Sequence, residues 1–287
     1  MGKVDTRTVM YGVFFGDPVK HSKSPVMLNR AFMETGINGL YAAFHVLPAN
    51  LEAAVKGVRA LNFRGINVTI PHKEEVMKYL DEIDEGARVI GAVNTIVNDG
   101  GRLIGYNTDG IGYVRSLKEE TGISLAGKHI LVIGAGGASR GITYALAKEG
   151  PACIRIANRT RDRAVELADE LSSLSDCAGM GLDQIADNMQ GVDLVINTTS
   201  AGMHPAVDEL PMDTALLREG MAASDLIYNP PVTRFLREAQ ERGAMIHSGF
   251  GMFIYQGAYA FEYWTGVPAP VEAMRQAVEQ SFTEEQA

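Results

Sequence analysis

The residues whose spacing carries most chemistry are Gly134 and Gly136 in Ile130-Leu-Val-Ile-Gly134-Ala135-Gly136-Gly137-Ala138-Ser-Arg-Gly141. An apolar strand that runs into glycines opening a helix makes room for a pyrophosphate. Glycine permits the tight turn and the close approach, and the helix start offers free N–H groups and a positive dipole end. The G-x-G-x-x-G spacing is met at two of its three glycines. The third position is Ser139, small enough to let the helix pack near the strand. The next strand, Cys153-Ile-Arg-Ile-Ala-Asn158-Arg159-Thr160, ends where a carboxylate would grip the ribose 2′-hydroxyl of NAD, and no carboxylate is there. Asn158, Arg159 and Thr160, backed by Arg161 and Arg163, offer hydrogen-bond donors and positive charge, which suit the 2′-phosphate of NADP. Glycines that merely end a strand, beside arginines of a solvated helix start, would not need strand, glycines, helix, second strand and basic tip in this order.

Four earlier segments carry polar groups that packing does not call for. Gly16-Asp-Pro-Val-Lys-His21-Ser22-Lys23-Ser24-Pro25 leaves a strand and enters a helix with two hydroxyls and nearby positive charge, which suits a carboxylate. Ser24 reads as an N-cap with Pro25 at the first helical position, which leaves Ser22 unexplained. Asn67-Val-Thr69-Ile-Pro71-His72-Lys73-Glu74 puts Thr69 and Lys73 at the carboxyl end of a strand, where open α/β sheets bind ligands. Gly91-Ala-Val-Asn94-Thr95 and Gly105-Tyr-Asn107-Thr108-Asp109-Gly110 bring an amide and a carboxylate to strand ends, and Asp109 could pair with Lys73. Thr108 or Asp109 could instead cap the helix that runs to about Thr121, but capping does not account for all four segments.

Two sets of alternating strands and helices must position these groups, a pattern of βαβ units and mainly parallel sheets. In the first set, strands at about Val9–Gly16, Leu40–Val46 and Gly65–Ile70 alternate with helices at about Pro25–Thr35 and Leu51–Leu61. Ala92–Asn98 and Arg102–Tyr106 then flank the turn Asp99-Gly100-Gly101, so this sheet gains an antiparallel portion. In the second set, strands near 129–134, 153–158, 193–199, 224–228 and 244–248 alternate with helices, one of them Pro231–Arg242 with an N-terminal proline. The apolar run after Gly249 and a last amphipathic helix, before the polar tail Thr283–Ala287, return to pack on the first set. The expected fold is α/β with two open domains. Residues 1–110 and 246–287 form a substrate domain with a mainly parallel mixed sheet, and residues 111–245 form a Rossmann-type NADP domain. Joints near Gly110 and Ser248, with glycines at 105, 110, 249 and 251 as hinges, leave a cleft between the domains as the ligand site.

Composition narrows the partners. The chain has 287 residues, 46% of them apolar, enough for two cores. A net charge of −9 argues against general nucleic-acid binding, so any anion site must be local. Two cysteines, Cys153 and Cys177, make neither a disulfide framework nor a metal cluster and fit a reducing cytoplasm. The histidines at 21, 45, 72, 129, 204 and 247 have no ligand spacing, and no metal is expected. Neither a signal peptide nor a membrane span of roughly 18 apolar residues is found.

Seven motifs in order, spread over nearly the whole chain, resemble the shikimate dehydrogenases and the related quinate/shikimate enzymes. They are His21-Ser-Lys-Ser24-Pro, Asn67-Val-Thr-Ile-Pro-His-Lys73, Gly91-Ala-Val-Asn94-Thr, Asn107-Thr-Asp109-Gly, Gly134-Ala-Gly-Gly-Ala138, Asn158-Arg-Thr160 and Gly249-Phe-Gly-Met-Phe-Ile-Tyr-Gln256. The resemblance implies NADPH-dependent reduction of 3-dehydroshikimate to shikimate, a step toward aromatic amino acids, by a monomer or homodimer. It implies that Lys73 and Asp109 are the catalytic pair. Ser22 and Ser24 would hold the substrate carboxylate, and Thr69, Asn94, Asp109 and Gln256 its hydroxyls. Leu226 and Gly249 match positions at the nicotinamide end of the cofactor, and Tyr228 a substrate contact. The second serine, Ser24, matches the shikimate-preferring form, since quinate-preferring relatives tend to carry threonine there. A non-catalytic NADP-binding regulator would be expected to lose Lys73, Asp109 and Asn94, and all three are present. Relatives acting on folate-like or aminoacyl substrates share the nucleotide domain and leave the serine loop unexplained.

Overall fold

The computed structural model describes residues 4–15 and 22–286. Two compact units divide the chain, Met1–Thr108 with Ile254–Ala287, and Asp109–Phe253. The first begins β1 (Val9–Phe15), α1 (Ser24–Thr35), β2 (Gly39–His45), α2 (Leu51–Ala60), β3 (Gly65–Val68), β4 (Glu82–Ile83), α3 (Glu85–Ile90), β5 (Thr95–Asp99) and β6 (Arg102–Tyr106). Its six strands lie in the order β2-β1-β3-β5-β6-β4. β2, β1 and β3 are parallel, β5 is antiparallel to β3 and β6, and β4 joins β6 in parallel. All four residues of β3 are buried, as a strand covered on both faces requires. The expected hairpin is present: Asp99 faces Arg102 across Gly100 and Gly101, whose φ angles of 60° and 100° are those that a two-residue loop of this kind needs. Its first strand starts at Thr95, later than expected at Ala92, because the Ala92 N–H still closes the end of α3 on the Ala87 carbonyl. The two-residue strand β4 was not foreseen; it is too short for an alternating pattern.

The second unit comprises α4 (Asp109–Thr121), β7 (His129–Ile133), α5 (Gly137–Ala147), β8 (Cys153–Asn158), α6 (Arg161–Leu171), β9 (Cys177–Gly181), β10 (Leu194–Asn197), β11 (Ala222–Asp225), α7 (Arg234–Glu241), β12 (Met245–His247) and the first turn of α8 (Gly249–Thr265). Its sheet is wholly parallel, in the order β12-β11-β10-β7-β8-β9, the dinucleotide-binding arrangement with its reversal between β7 and β10. The strand β9, Cys-Ala-Gly-Met-Gly, escaped the sequence analysis because it has neither an apolar run nor β-branched residues. Gly179 lets it lie against the α6 backbone, where a Cβ would collide with Ala164 and Val165. The helix α7 starts at Arg234, later than the expected Pro231, because Thr233 caps it, with Oγ1 accepting from the Leu236 N–H at 3.4 Å. The expected return to the first unit at 246 is also early: β12 is hydrogen-bonded to β11, so residues up to Phe253 stay with the second sheet.

From Ile254 onward α8, followed by α9 (Val271–Gln286), belongs to the first unit. Trp264 is buried against the first sheet, donating Nε1–H to the Ile96 carbonyl at 2.9 Å, and only a glycine at 65 leaves space for its ring. No described helix is long and apolar enough to cross a membrane, and no described residues cluster as metal ligands.

Candidate functional site

In the second unit the phosphate cradle is built from backbone. Gly134, just past β7, has φ of 115°, and a Cβ there would collide with Thr198 Oγ1. Conformation and space both demand glycine. Beyond it, Gly136 and Gly137 have nothing within 4 Å of where a Cβ would stand. Gly136 precedes α5 in extended conformation with no side-chain cap, and Gly137 and Ala138 lie exposed in the first turn, so the helix-start N–H groups face open space. Ser139 does more than stay small. Fully buried, it donates Oγ–H to the Gly134 carbonyl at 2.7 Å and locks the turn.

A cavity of about 440 Å³ opens at this point, lined by Gly134, Ala135, Gly136, Asn158, Arg159 and Arg163. Asn158 donates Nδ2–H to the Thr160 carbonyl at 2.8 Å, ordering the tip, while Arg159, Thr160 and Arg163 are exposed. Thr198, Thr199 and Ser200, on the wall after β10, were missed by sequence reasoning. Their signal, hydroxyls at a strand's carboxyl end, acquires meaning only because β10 lies beside β7. Among the described residues this site has the shape, the unsubstituted backbone and the cationic rim that a dinucleotide 2′-phosphate fits.

Leu226 and Gly249 meet at the other end of this sheet. A Cβ on Gly249 would collide with the Leu226 carbonyl, and the Gly249 N–H donates to the Ile227 carbonyl at 3.2 Å. Gly110 likewise permits α4 to touch the α5 backbone at Gly141. Beneath Leu226 lies Asp225, wholly buried and not foreseen. Its carboxylate accepts from the Ile227 N–H at 3.0 Å, Thr233 Oγ1 at 2.8 Å and Asn197 Nδ2 at 3.2 Å. Burial pushes its pKa up, and these donors oppose that shift. Tyr228 is half-buried and stacks on Phe253 with ring centroids 5.3 Å apart, and burial raises its phenol.

In the first unit the candidates sit on a chain of buried hydrogen bonds. Asn94 accepts from the Thr108 N–H at 2.9 Å and donates to Thr108 Oγ1 at 3.0 Å; Thr95 Oγ1 donates to Asn94 Oδ1 at 2.9 Å. Asn67 donates to Thr95 Oγ1 at 3.1 Å and accepts from the Tyr41 hydroxyl at 2.8 Å. At the other end Thr108 Oγ1 donates to the Gln256 carbonyl at 3.1 Å, so that hydroxyl binds α8 and Asn94. Gln256 itself is half-buried. The Tyr41 phenol, buried and bonded to Ser24, has its pKa raised well above the ordinary value by burial. Tyr41, Asn67, Thr95 and Thr108 were not singled out as site residues, since nothing in their spacing shows that they converge.

Lys73 is half-buried, and its carbonyl accepts from the Val93 N–H at 2.8 Å, tying it to the segment that presents Asn94. The Thr69 carbonyl accepts from the His72 N–H at 2.8 Å, and the buried His72 ring donates Nε2–H to the Val46 carbonyl at 2.7 Å. Asp109 is the first residue of α4, in the second unit. Of the serine loop, residues 16–21, including His21, lie outside the described residues. Ser22 Oγ accepts from the Ser24 N–H at 3.3 Å. Ser24 is not the expected N-cap: Lys23 holds that position with no side-chain cap bond, and Ser24 is already helical. The intervening Lys23 is buried, donating to the Ser281 carbonyl of α9 at 3.4 Å with its ammonium 5.0 Å from the Phe282 ring.

Three family models match the chain: a shikimate dehydrogenase substrate binding domain over residues 14–96, a shikimate/quinate 5-dehydrogenase over 116–226, and a shikimate 5′-dehydrogenase C-terminal domain over 249–279. The shikimate dehydrogenase (NADP(+)) of Geobacillus sp. (strain WCH70) is 51% identical over 264 residues, 92% of this chain and 95% of that protein. A crystal structure of a shikimate dehydrogenase in complex with NADP+ superposes with a TM-score of 0.90 at 46% identity, covering 97% of each chain. The Listeria monocytogenes shikimate 5-dehydrogenase, in complex with shikimate and NAD, gives 0.90 at 37% identity over 96% of this chain and 98% of that one.

Proposed function

We infer the reaction from one premise: this chain belongs to the shikimate dehydrogenase family, and it is an NADP-dependent oxidoreductase that interconverts shikimate and 3-dehydroshikimate. That step leads toward aromatic amino acids, and a reducing cytoplasm suits its two free cysteines. The observation that carries the cofactor assignment is the cavity at the β7/β10 reversal, with bare glycine backbone at its base and Asn158, Arg159 and Arg163 at its rim. Gly134, Ala135, Gly136, Gly137 and Ala138 would hold the pyrophosphate; Asn158, Arg159, Thr160 and Arg163 the 2′-phosphate; Leu226 and Gly249 the nicotinamide end.

When bound, NADPH supplies the hydride, and every other requirement falls on the chain's own side chains. As charge develops on the ketone oxygen, a positioned acid must deliver a proton. Lys73 is that acid: its ammonium stabilises the oxyanion and gives up a proton. Asp109 grips a substrate hydroxyl and orients Lys73. Ser22 and Ser24 hold the substrate carboxylate by their hydroxyls, and Thr69, Asn94 and Gln256, with Tyr228, hold the ring substituents. The buried chain from Tyr41 to Thr108 supports this reading, because an amide whose oxygen and nitrogen are both held beneath the surface meets a ligand already oriented.

Initial rates of shikimate and quinate oxidation, each with NADP+ and with NAD+, test the assignment. High kcat/KM for shikimate with NADP+ alone is expected. Comparable turnover of quinate, or of NAD+ (the cofactor in the Listeria complex), would overturn the specificity assigned to Ser24 or Arg159. Turnover of neither acid would overturn the reaction.

A further inference from the structure

The second unit buries a polar chain that the reaction does not call for. Tyr113, Ser116, Ser224 and His247 are each at most 2% exposed. The Tyr113 hydroxyl donates to Ser224 Oγ at 2.8 Å, Ser224 Oγ lies 2.9 Å from His247 Nδ1, and Ser116 Oγ lies 2.7 Å from His247 Nε2. A carboxylate oxygen of Glu120 stands 3.7 Å from Nε2. The four links join α4, β11 and β12, the elements that carry Asp109, Leu226 and the entry to Gly249.

The Glu120 carboxylate oxygen beside Nε2 favours a proton on that nitrogen, which then donates to Ser116 and leaves Nδ1 to accept from the Ser224 hydroxyl. The other face of Ser116 and Glu120 meets the first turn of α8: a Cβ on Gly251 would collide with Ser116 Oγ and with the Glu120 carboxylate. A carboxylate against a helix N-terminus is also on the favourable side of the helix dipole. The segment Gly249–Gly251 is thus seated on Leu226 through Gly249 and on Ser116 and Glu120 through Gly251.

We propose that His247 is a positioning residue for cofactor binding: its imidazole, held as the Nε2–H tautomer between Ser224 and Ser116, fixes β11 and the start of α8 so that Leu226 and Gly249 keep their places. The inference rests on the assignment of those two residues to the nicotinamide end. The ring is buried, and its effect passes through Ser224 to the strand that ends in Asp225, next to Leu226, and through Ser116 to Gly251.

Steady-state kinetics of His247→Leu, His247→Asn and Leu226→Ala, followed with each substrate varied in turn, test it. His247→Leu removes both ring nitrogens, and the expected result is a rise of about tenfold or more in KM for NADPH with KM for 3-dehydroshikimate within about twofold, as loss of one or two buried hydrogen bonds would produce. His247→Asn, which keeps an acceptor near the Nδ1 position for Ser224, should recover part of that loss. An unchanged KM for NADPH in His247→Leu, with a raised one in Leu226→Ala, overturns the positioning role and leaves the cofactor assignment standing; no effect in either variant overturns both. A parallel rise in both KM values would mark general disruption and also overturns the proposal. Should His247→Leu not fold, nitrogen-15 spectra of the wild-type imidazole decide. A bare Nδ1 and a protonated Nε2 are expected at mildly alkaline pH, where an ordinary imidazole is neutral, with both signals shifting on addition of NADP+. The opposite tautomer, or signals indifferent to NADP+, would overturn it.

Discussion

The two units hold their candidate binding groups in opposite ways. The second presents what it lacks: at Gly136 and Gly137 the absence of side chains leaves open space at a helix start, at Gly134 it makes room for Thr198, and exposed cations stand at the rim. The first presents what it has stocked, amides and hydroxyls whose orientation is set by buried partners, from Tyr41 through Asn67 and Thr95 to Asn94 and Thr108. A diphosphate is recognised by charge and close approach, which backbone supplies. A ring carrying several hydroxyls is recognised by the placement of individual donors and acceptors, which needs side chains held from behind.

Substitutions separate these two modes, and the largest effect is expected at Lys73, the proposed proton donor. Lys73→Ala should lower kcat by about 10² to 10⁴ with cofactor affinity little changed, measured by steady-state rates and NADPH titration; a nearly normal kcat would remove Lys73 from the role. At the rim of the backbone-built site, Arg159→Asp would replace the proposed charge-assisted contact to a 2′-phosphate by repulsion. Charged hydrogen bonds contribute about 1.5–3 kcal/mol, so the ratio of kcat/KM for NADP+ over NAD+ should fall by roughly 10- to 100-fold, with KM for shikimate unmoved. No change in the ratio would take Arg159 out of cofactor selection.

Asp225 is a wholly buried carboxyl in the backbone-built unit. Because burial raises its pKa above 3.8, the folded chain binds the proton more tightly than the unfolded one. The stability contributed by this group is therefore highest at acid pH and is lost as pH rises from 3.8 through the raised value. Asp225→Asn abolishes the titration, so the Tm of wild type relative to the variant should fall across that interval, about 2–4 °C for each 1 kcal/mol. A Tm difference independent of pH would show that the carboxyl titrates alike in both states. The smallest effect is expected at Ser24→Thr, where one added methyl is worth about 0.8 kcal/mol. The ratio of kcat/KM for quinate over shikimate should rise by roughly fourfold, and a ratio that stays put would detach substrate choice from this side chain.

Legibility in the sequence followed the same division. The glycine cradle and the basic tip could be read directly, because both are local: a strand, a turn and a helix start occupy consecutive residues, and their chemistry does not depend on what lies beside them. The hairpin at Gly100-Gly101 and the boundaries of α1 and α2 were readable for the same reason. Strand β9 was not, having no apolar pattern, and the start of α7 was misread because Pro231 and Thr233 both carry helix-start signals and only the cap bond to Leu236 decides between them. Ser24 misled in the opposite direction, since a serine before proline has the composition of a cap while the backbone puts Lys23 in the cap position and Ser24 already inside the helix.

What the sequence offered by itself was therefore the set of candidate groups, the serines, Lys73, Asn94, Asp109, the glycines and the basic tip, together with the two alternating sets of elements that carry them. The tertiary structure decided which groups share a hydrogen bond: that β10 lies beside β7 and brings Thr198 and Thr199 to the cradle, that Asn67, Thr95 and Thr108 converge on Asn94, and that His247 links Ser224 to Ser116. The physical reason is range. Turns, caps and periodicity are fixed by residues within a few positions of one another, whereas these partners are separated by up to 131 positions in the chain and meet only when strand order and burial bring them together.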